Sequence, residues 1–239
     1  MNTHPPKKTY ALIGAGPNLG ARLARRFASE GFRIAAISRS PENLAAFVSA
    51  LEADGIEAAA FPADVTDPDS LTKALTAVEA TYGPISVMQW NAMPGWQAAI
   101  TTLDITPDNV QHALAFNITG PIAAVRAVLP AMRQRGEGAM LFTTGASGLH
   151  PLDITANLGL SMAALRNYLY NLHEELKPSN IYVGTITVGD HIAKDHADPD
   201  VIADRYWDML HTRDCVEEQI GDAIATFSKT SQTQHPLDR

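Results

Sequence analysis

Short apolar runs alternate along the chain with longer segments in which apolar residues recur every three or four positions. The runs read as strands: TYALIGA (9–15), FRIAAIS (32–38), IEAAAFPAD (56–64), PISVMQWNA (84–92), GAMLFTTG (138–145) and NIYVGTITVG (180–189). Between them, NLGARLARRFASEG is a helix ended by Gly31, PENLAAFVSALEADG one opened by Pro41, and DPDSLTKALTAVEATYG one with an acidic first turn. A long helix is expected from about Asp108 to Arg135, interrupted or bent near Gly120 and Pro121. ANLGLSMAALRN (156–167) starts another helix, PDVIADRYWDMLHTRD (199–214) reads as a last one, and CVEEQIG (215–221) as an edge strand. Strands and helices in strict alternation predict an α/β protein with a Rossmann-like, doubly wound parallel sheet. No internal repeat or low-complexity linker divides it, so residues 1–239 are expected to form a single domain, with flexible ends at 1–8 and 229–239.

Composition narrows the function classes. Hydrophobic residues make up 46% of the chain against 18% charged, enough apolar surface for a packed core. The formal net charge of −8 argues against nucleic-acid and anionic-membrane partners, which favour basic surfaces. Cys215 is the only cysteine, with no partner for an intrachain disulfide and no metal-ligand neighbours at useful spacing, so no metal site is expected. The N-terminus lacks the apolar core of a signal peptide, and no uninterrupted run of about 18 apolar residues occurs. A cytoplasmic protein is the expectation.

The first strand runs into ALIGAGPNLGARLARRFA, with Gly14, Gly16 and Gly20 at a strand-to-helix turn. Glycines there let the backbone approach a pyrophosphate at the positive end of the following helix, though a glycine triplet also marks close packing. The second strand ends in Ser38-Arg39, where an NAD-binding domain usually has an acidic residue for the ribose hydroxyls. An arginine there suits the 2′-phosphate of NADP; the plain alternative is a solvated side chain. Asp64, after the third strand, can accept from an adenine amino group or serve as a cap.

Together these pieces make the chain similar to the short-chain dehydrogenase/reductase family over nearly its whole length. The first turn resembles the family's T-G-x-x-x-G-x-G through Gly14 and Gly20, with Ile13 for Thr and Asn18 for the middle Gly. GAGPNLG looks like a divergent subgroup carrying G-A-G-P-G-x-G, ADVTD resembles the adenine-site Asp-Val, WNAM the Asn-Asn-Ala-Gly segment, and FNITG the Asn-centred part of the fifth helix. The resemblance implies a cofactor site built from Gly14, Gly16, Asn18, Leu19, Gly20, Ser38, Arg39, Asp64, Val65, Asn91, Ala92 and Gly189. It also implies that Asn91 supports the cofactor ribose, that Asn117 holds a water of the proton relay, and that the protein is a homodimer or homotetramer.

The family's catalytic Ser and Tyr-x-x-x-Lys do not carry over. Gly145 falls at the Ser position, Leu158 at the Tyr position and Met162 at the Lys position. Tyr normally protonates the alkoxide left by hydride delivery, its pKa lowered by Lys, while Ser bonds the reacting oxygen. Candidate replacements are Ser147, two residues past the Ser position, and His191 in TVGDHIA, with Asp190 beside it, where the family's Pro-Gly-x-x-x-Thr loop passes the nicotinamide. For His191 the plain alternative is an exposed loop histidine. Met93, Trp96, His150 and Trp207 are candidate pocket residues. Two functions stay open: an NADP-dependent oxidoreductase of a small carbonyl or alcohol substrate with a non-standard active site, and a catalytically silent NADP-binding sensor or partner subunit.

Overall fold

The computed structural model describes residues 7–226. Seven strands, β1 (Lys8–Ile13), β2 (Phe32–Ser38), β3 (Ala58–Pro62), β4 (Ile85–Trp90), β5 (Gly138–Gly145), β6 (Ile181–Val188) and β7 (Glu217–Ile220), form one parallel sheet in the order β3-β2-β1-β4-β5-β6-β7. The doubly wound α/β expectation holds, including the parallel edge strand. Of the ends expected to be flexible, residues 1–6 and 229–239 lie outside the described residues, while Lys8 opens β1.

Side chains alternate across the sheet, so each strand feeds two cores. In β1, Ala11 and Ile13 face one core with α3 (Pro68–Tyr82), α5 (Gly120–Arg135) and α6 (Ala156–Leu176). Tyr10 and Leu12 face the other, with α1 (Leu19–Ser29), α2 (Pro41–Ala53) and α7 (Pro199–Thr212). Burial in α1 falls on Leu19, Leu23, Ala24 and Phe27, the spacing of a single helical face. Asp67 and Asp198 cap α3 and α7 by accepting from backbone N–H groups of the first turn.

The long helix differs from the expectation in where it is irregular. α4 (Val110–Leu114) continues through a π turn at Ala115–Thr119 into α5, and the Gly120 N–H reaches five residues back to the Ala115 carbonyl. Pro121 therefore sits in the first turn of α5, where its missing donor costs little. The irregularity lies one turn before Gly120-Pro121. By length and composition this 110–135 helix is apolar enough to cross a membrane, yet Phe116, Ala124, Val125, Val128 and Met132 are buried in the core.

β7 is fastened to α6 by one carboxylate. Glu217, its side chain 4% exposed, accepts from Arg166 at 2.6 Å, from the Tyr170 hydroxyl at 2.6 Å and from the Thr187 hydroxyl at 2.6 Å. Burial pushes its carboxyl up, but the bonds from Arg166, Thr187 and Tyr170 outweigh this and hold it below the usual carboxylate range. A depressed folded-state pKa contributes stability that is present above the unfolded carboxyl value of about 4.3 and is lost as pH falls through the folded value. Stability should therefore fall below about pH 4, and Glu217→Gln should flatten that part of the profile; urea unfolding followed from pH 7 to pH 3 checks this, and an unchanged slope contradicts it.

Candidate functional site

Strand order reverses between β1 and β4, which opens a crevice at the carboxyl ends of the strands. Its floor is set by Gly14, at φ +92°, where a Cβ would stand 2.5 Å from the backbone of Asn91 and Ala92. The turn thus lies flat on the end of β4. Asn91 fastens it, donating from Nδ2 to the Gly14 carbonyl at 3.1 Å and accepting at Oδ1 from the Thr143 hydroxyl at 3.1 Å. Beneath, Gln89 donates to Thr143 and Tyr206 donates to the Phe142 carbonyl, so these side chains have partners.

A cavity of about 340 Å³ lies over this floor. Gly14, Gly16, Asn18, Leu19, Gly20, Ser38, Arg39, Val65, Asn91 and Ala92 line it. Gly16 differs from Gly14, because a Cβ on it would meet nothing closer than the Gly14 carbonyl at 3.9 Å. Its packing does not require glycine. The bare backbone keeps the cavity open for close approach of a ligand. Arg39 is exposed at its rim and makes no hydrogen bond or ion pair within the described residues.

A second cavity, of about 380 Å³, adjoins the first. They share Asn18, Met93, Thr143 and Ile192, and Asn18 Nδ2 donates across the cleft to the Ile192 carbonyl at 2.8 Å. Thr144, Gly145, Ser147, Leu158, Met162, Asp190 and His191 line the second cavity. Leu158 and Met162 are 5% and 2% exposed, so they are packed wall rather than open cleft. The Met162 sulfur accepts the Gly145 N–H at 3.3 Å and the Ser147 hydroxyl at 3.5 Å, and a Cβ at position 145 would stand 2.9 Å from it. Methionine and glycine fit each other at this point.

Several expected residues lie outside both cavities. Asn117 is buried and donates its amide to Ser161 at 2.8 Å on α6. Asp64 closes an Asx turn, accepting from the Thr66 N–H and hydroxyl. Burial pushes the Asp64 carboxyl up, but the Thr66 bonds and the Arg39 and His112 charges outweigh it and hold it low. Gly189 donates its N–H to Ile220 at 2.7 Å, behind the wall. Trp207 packs on Phe27 and Phe32, whereas Met93 does reach the cleft; the Trp96 side chain lies outside the described residues.

The sequence reading passed over Thr143, Thr144 and Ile192. The signal was there for the threonines, two adjacent hydroxyls closing a strand otherwise buried and apolar. For Ile192 there was none, since it contributes a backbone carbonyl. Among the described residues no three His, Cys, Asp or Glu side chains converge as a metal ion requires. Burial pushes the Cys215 thiol up, so it is no ready nucleophile.

With this geometry in place, the comparisons with known proteins are specific. Over 220 residues the chain is 28% identical to the 2,3-dihydro-2,3-dihydroxybenzoate dehydrogenase of Bacillus subtilis strain 168, covering 92% of this chain and 80% of that one. Some other curated relatives are matched over less than two thirds of their own length. A short-chain dehydrogenase from Rhodopseudomonas palustris superposes with a TM-score of 0.81 at 26% identity, over 91% of this chain and 100% of that one. A metagenomic short-chain oxidoreductase solved in complex with NADP superposes with a TM-score of 0.79 at 25% identity, over 89% of this chain and 96% of that one. The family model for short chain dehydrogenases matches residues 8–194, from β1 through the loop after β6 that walls both cavities. The chain belongs to the short-chain dehydrogenase family.

Proposed function

We propose that this oxidoreductase uses NADP and interconverts a small alcohol and its carbonyl compound in a site that lacks the family's phenol and ammonium. The observation that carries the reading is the pair of adjoining cavities, with bare Gly16 and exposed Arg39 in one and Thr144, Ser147, Leu158 and Met162 in the other. Arg39 suits a 2′-phosphate, and the related metagenomic oxidoreductase was solved with NADP. Gly14, Gly16, Asn18, Leu19 and Gly20 hold the pyrophosphate segment, Ser38 and Arg39 the adenosine end, Val65 and Ala92 flank it, and Asn91 fixes the turn. Bound there, the nicotinamide group supplies or takes up the hydride.

The chain itself must place the proton. Leu158 and Met162 carry none, and loss of a general acid typically forfeits ~10²–10⁴ in rate. The hydroxyl of Ser147 and the imidazole of His191 are the proton-bearing groups of the cavity that we assign to that task. Asn117, tied to Ser161, serves to position α6 against the π turn. The packed Leu158 and Met162 also favour a second reading, a catalytically silent NADP-binding protein. On α6, Leu160 is 57% exposed, and a homodimer or homotetramer that pairs this helix with a second copy would cover it.

Two measurements test this account. NADPH should bind about 10- to 100-fold tighter than NADH, the worth of a charge-assisted phosphate contact, and Arg39→Ala should erase most of the difference in a fluorescence titration. Equal affinities in the parent protein contradict the NADP assignment. Gly145→Ser should cost about 1–3 kcal/mol from overpacking against the Met162 sulfur, and most of that cost should vanish in a Met162→Ala background. Additive effects in urea melts contradict the proposed fit between the two positions.

A further inference from the structure

On the α6 side of the sheet, Thr144, Thr185 and Thr187 stand where parallel strands buried on both faces normally carry aliphatic side chains. Their hydroxyls are connected. Thr187 donates its one proton to Glu217 Oε1 at 2.6 Å, so the 2.8 Å contact between Thr144 and Thr187 must have Thr144 as its donor. Thr185 spends its proton on the Phe142 carbonyl at 2.9 Å, so it competes only as an acceptor for the Thr144 proton, at 3.2 Å against 2.8 Å to Thr187. The hydroxyl protons of Thr144 and Thr187 point away from the cavity and towards the carboxylate. Thr144, which lines the cavity, thus has no proton left to offer there and presents acceptor capacity.

The far end of the chain is the buried Glu217 carboxylate, 4% exposed, one bond from the part-exposed Arg166 and Tyr170 side chains. Glu217 Oε2 is held by Arg166 and Tyr170, and the Arg166 side chain is one-third exposed, at 33%. A purely structural role explains the bonds from Arg166 and Tyr170, which fasten β7 to α6. It does not require hydroxyls to continue inward to the cavity wall.

The geometry points to a proton conduit, Thr144 to Thr187 to Glu217, that carries the hydroxyl proton of an alcohol substrate out of the cavity and thereby stands in for the missing phenol. This rests on the oxidoreductase reading above. In the oxidation step the substrate C–H bond breaks and its hydride reduces the oxidised nicotinamide cofactor. The substrate O–H proton passes to Thr144 Oγ1, the Thr144 proton to Thr187 Oγ1, and the Thr187 proton to Glu217 Oε1. Glu217 becomes a neutral acid and releases that proton to solvent beside Arg166. The products are a ketone, the reduced cofactor and one solvated proton. Carbonyl reduction runs the same hops backwards, starting from a protonated Glu217, so the resting ionised carboxylate is matched to alcohol oxidation.

The conduit is tested with the full chain in two ways. Without cofactor, the Glu217 carboxyl carbon is followed by ¹³C NMR in the parent, in Thr144→Val and in Thr144→Ser. A linked, mutually polarised chain predicts that Val shifts the resonance from two hydrogen bonds away and that Ser restores it. With NADP⁺ and a panel of small secondary alcohols, Thr187→Val should lower kcat by about 10²-fold, and Thr187→Ser should recover most of the loss. NADP⁺ affinity should stay at the parent value in both variants, while the melting temperature falls in Thr187→Val, which leaves Glu217 one bond short, and not in Thr187→Ser. Turnover that survives Thr187→Val, or a Glu217 resonance indifferent to Thr144→Val, overturns the conduit alone. A parent that binds NADP⁺ but oxidises no alcohol overturns the conduit and the oxidoreductase reading together, and leaves the silent binding protein.

Discussion

The arrangement of this protein depends on one close approach. With no side chain at position 14, the turn after β1 settles onto the end of β4, and the Asn91 amide locks it there by its bond to the Gly14 carbonyl. That contact decides where α1 begins, and so which way its positive end points. It also leaves Gly16 and Arg39 on the wall of one cavity and Thr143 on the wall of both. Any side chain at position 14 would lift the turn off the sheet. The cleft would lose its floor.

Above that floor the two halves of the cleft obey different physics. The half around Gly16 and Arg39 offers backbone and a positive charge, and suits an anionic ligand. The half around Leu158 and Met162 is largely apolar, with hydroxyls from Thr143, Thr144, Ser147 and Thr155 in its lining. Met162 is no idle replacement for a lysine, because its sulfur takes up the Gly145 N–H and the Ser147 hydroxyl and fills the space a side chain at 145 would need. In such a site no ammonium is at hand to stabilise charge, which is why the proposed proton movement runs through hydroxyls anchored elsewhere in the fold.

Much of this was legible in the sequence where a local pattern had one physical meaning. Short apolar runs marked the strands and a three-to-four-residue apolar spacing the main helices, and Pro41 and Gly31 marked helix ends. The glycine turn and Arg39 were found because their spacing from β1 and β2 puts them at strand ends. The reading failed where meaning depends on contacts distant in the chain. The π turn at Ala115–Thr119 looked like a proline bend, because Pro121 is visible in sequence and a shifted hydrogen bond is not. For Asn117 the sequence does not show the partner of its amide, Ser161, 44 residues away. Thr144 gains its interest only beside Thr187 and Glu217, which come from two other strands.

The central claim is that both cavities form one cofactor and substrate cleft, with the reacting end in the apolar half. A crystal structure of the NADPH complex tests it most directly. The account predicts the 2′-phosphate on Arg39 and the nicotinamide ring in the cavity walled by Thr144, Leu158 and Met162. NADPH bound only by its adenosine half, with the nicotinamide in solvent and the Asn18 bridge to Ile192 closed behind it, would contradict the claim.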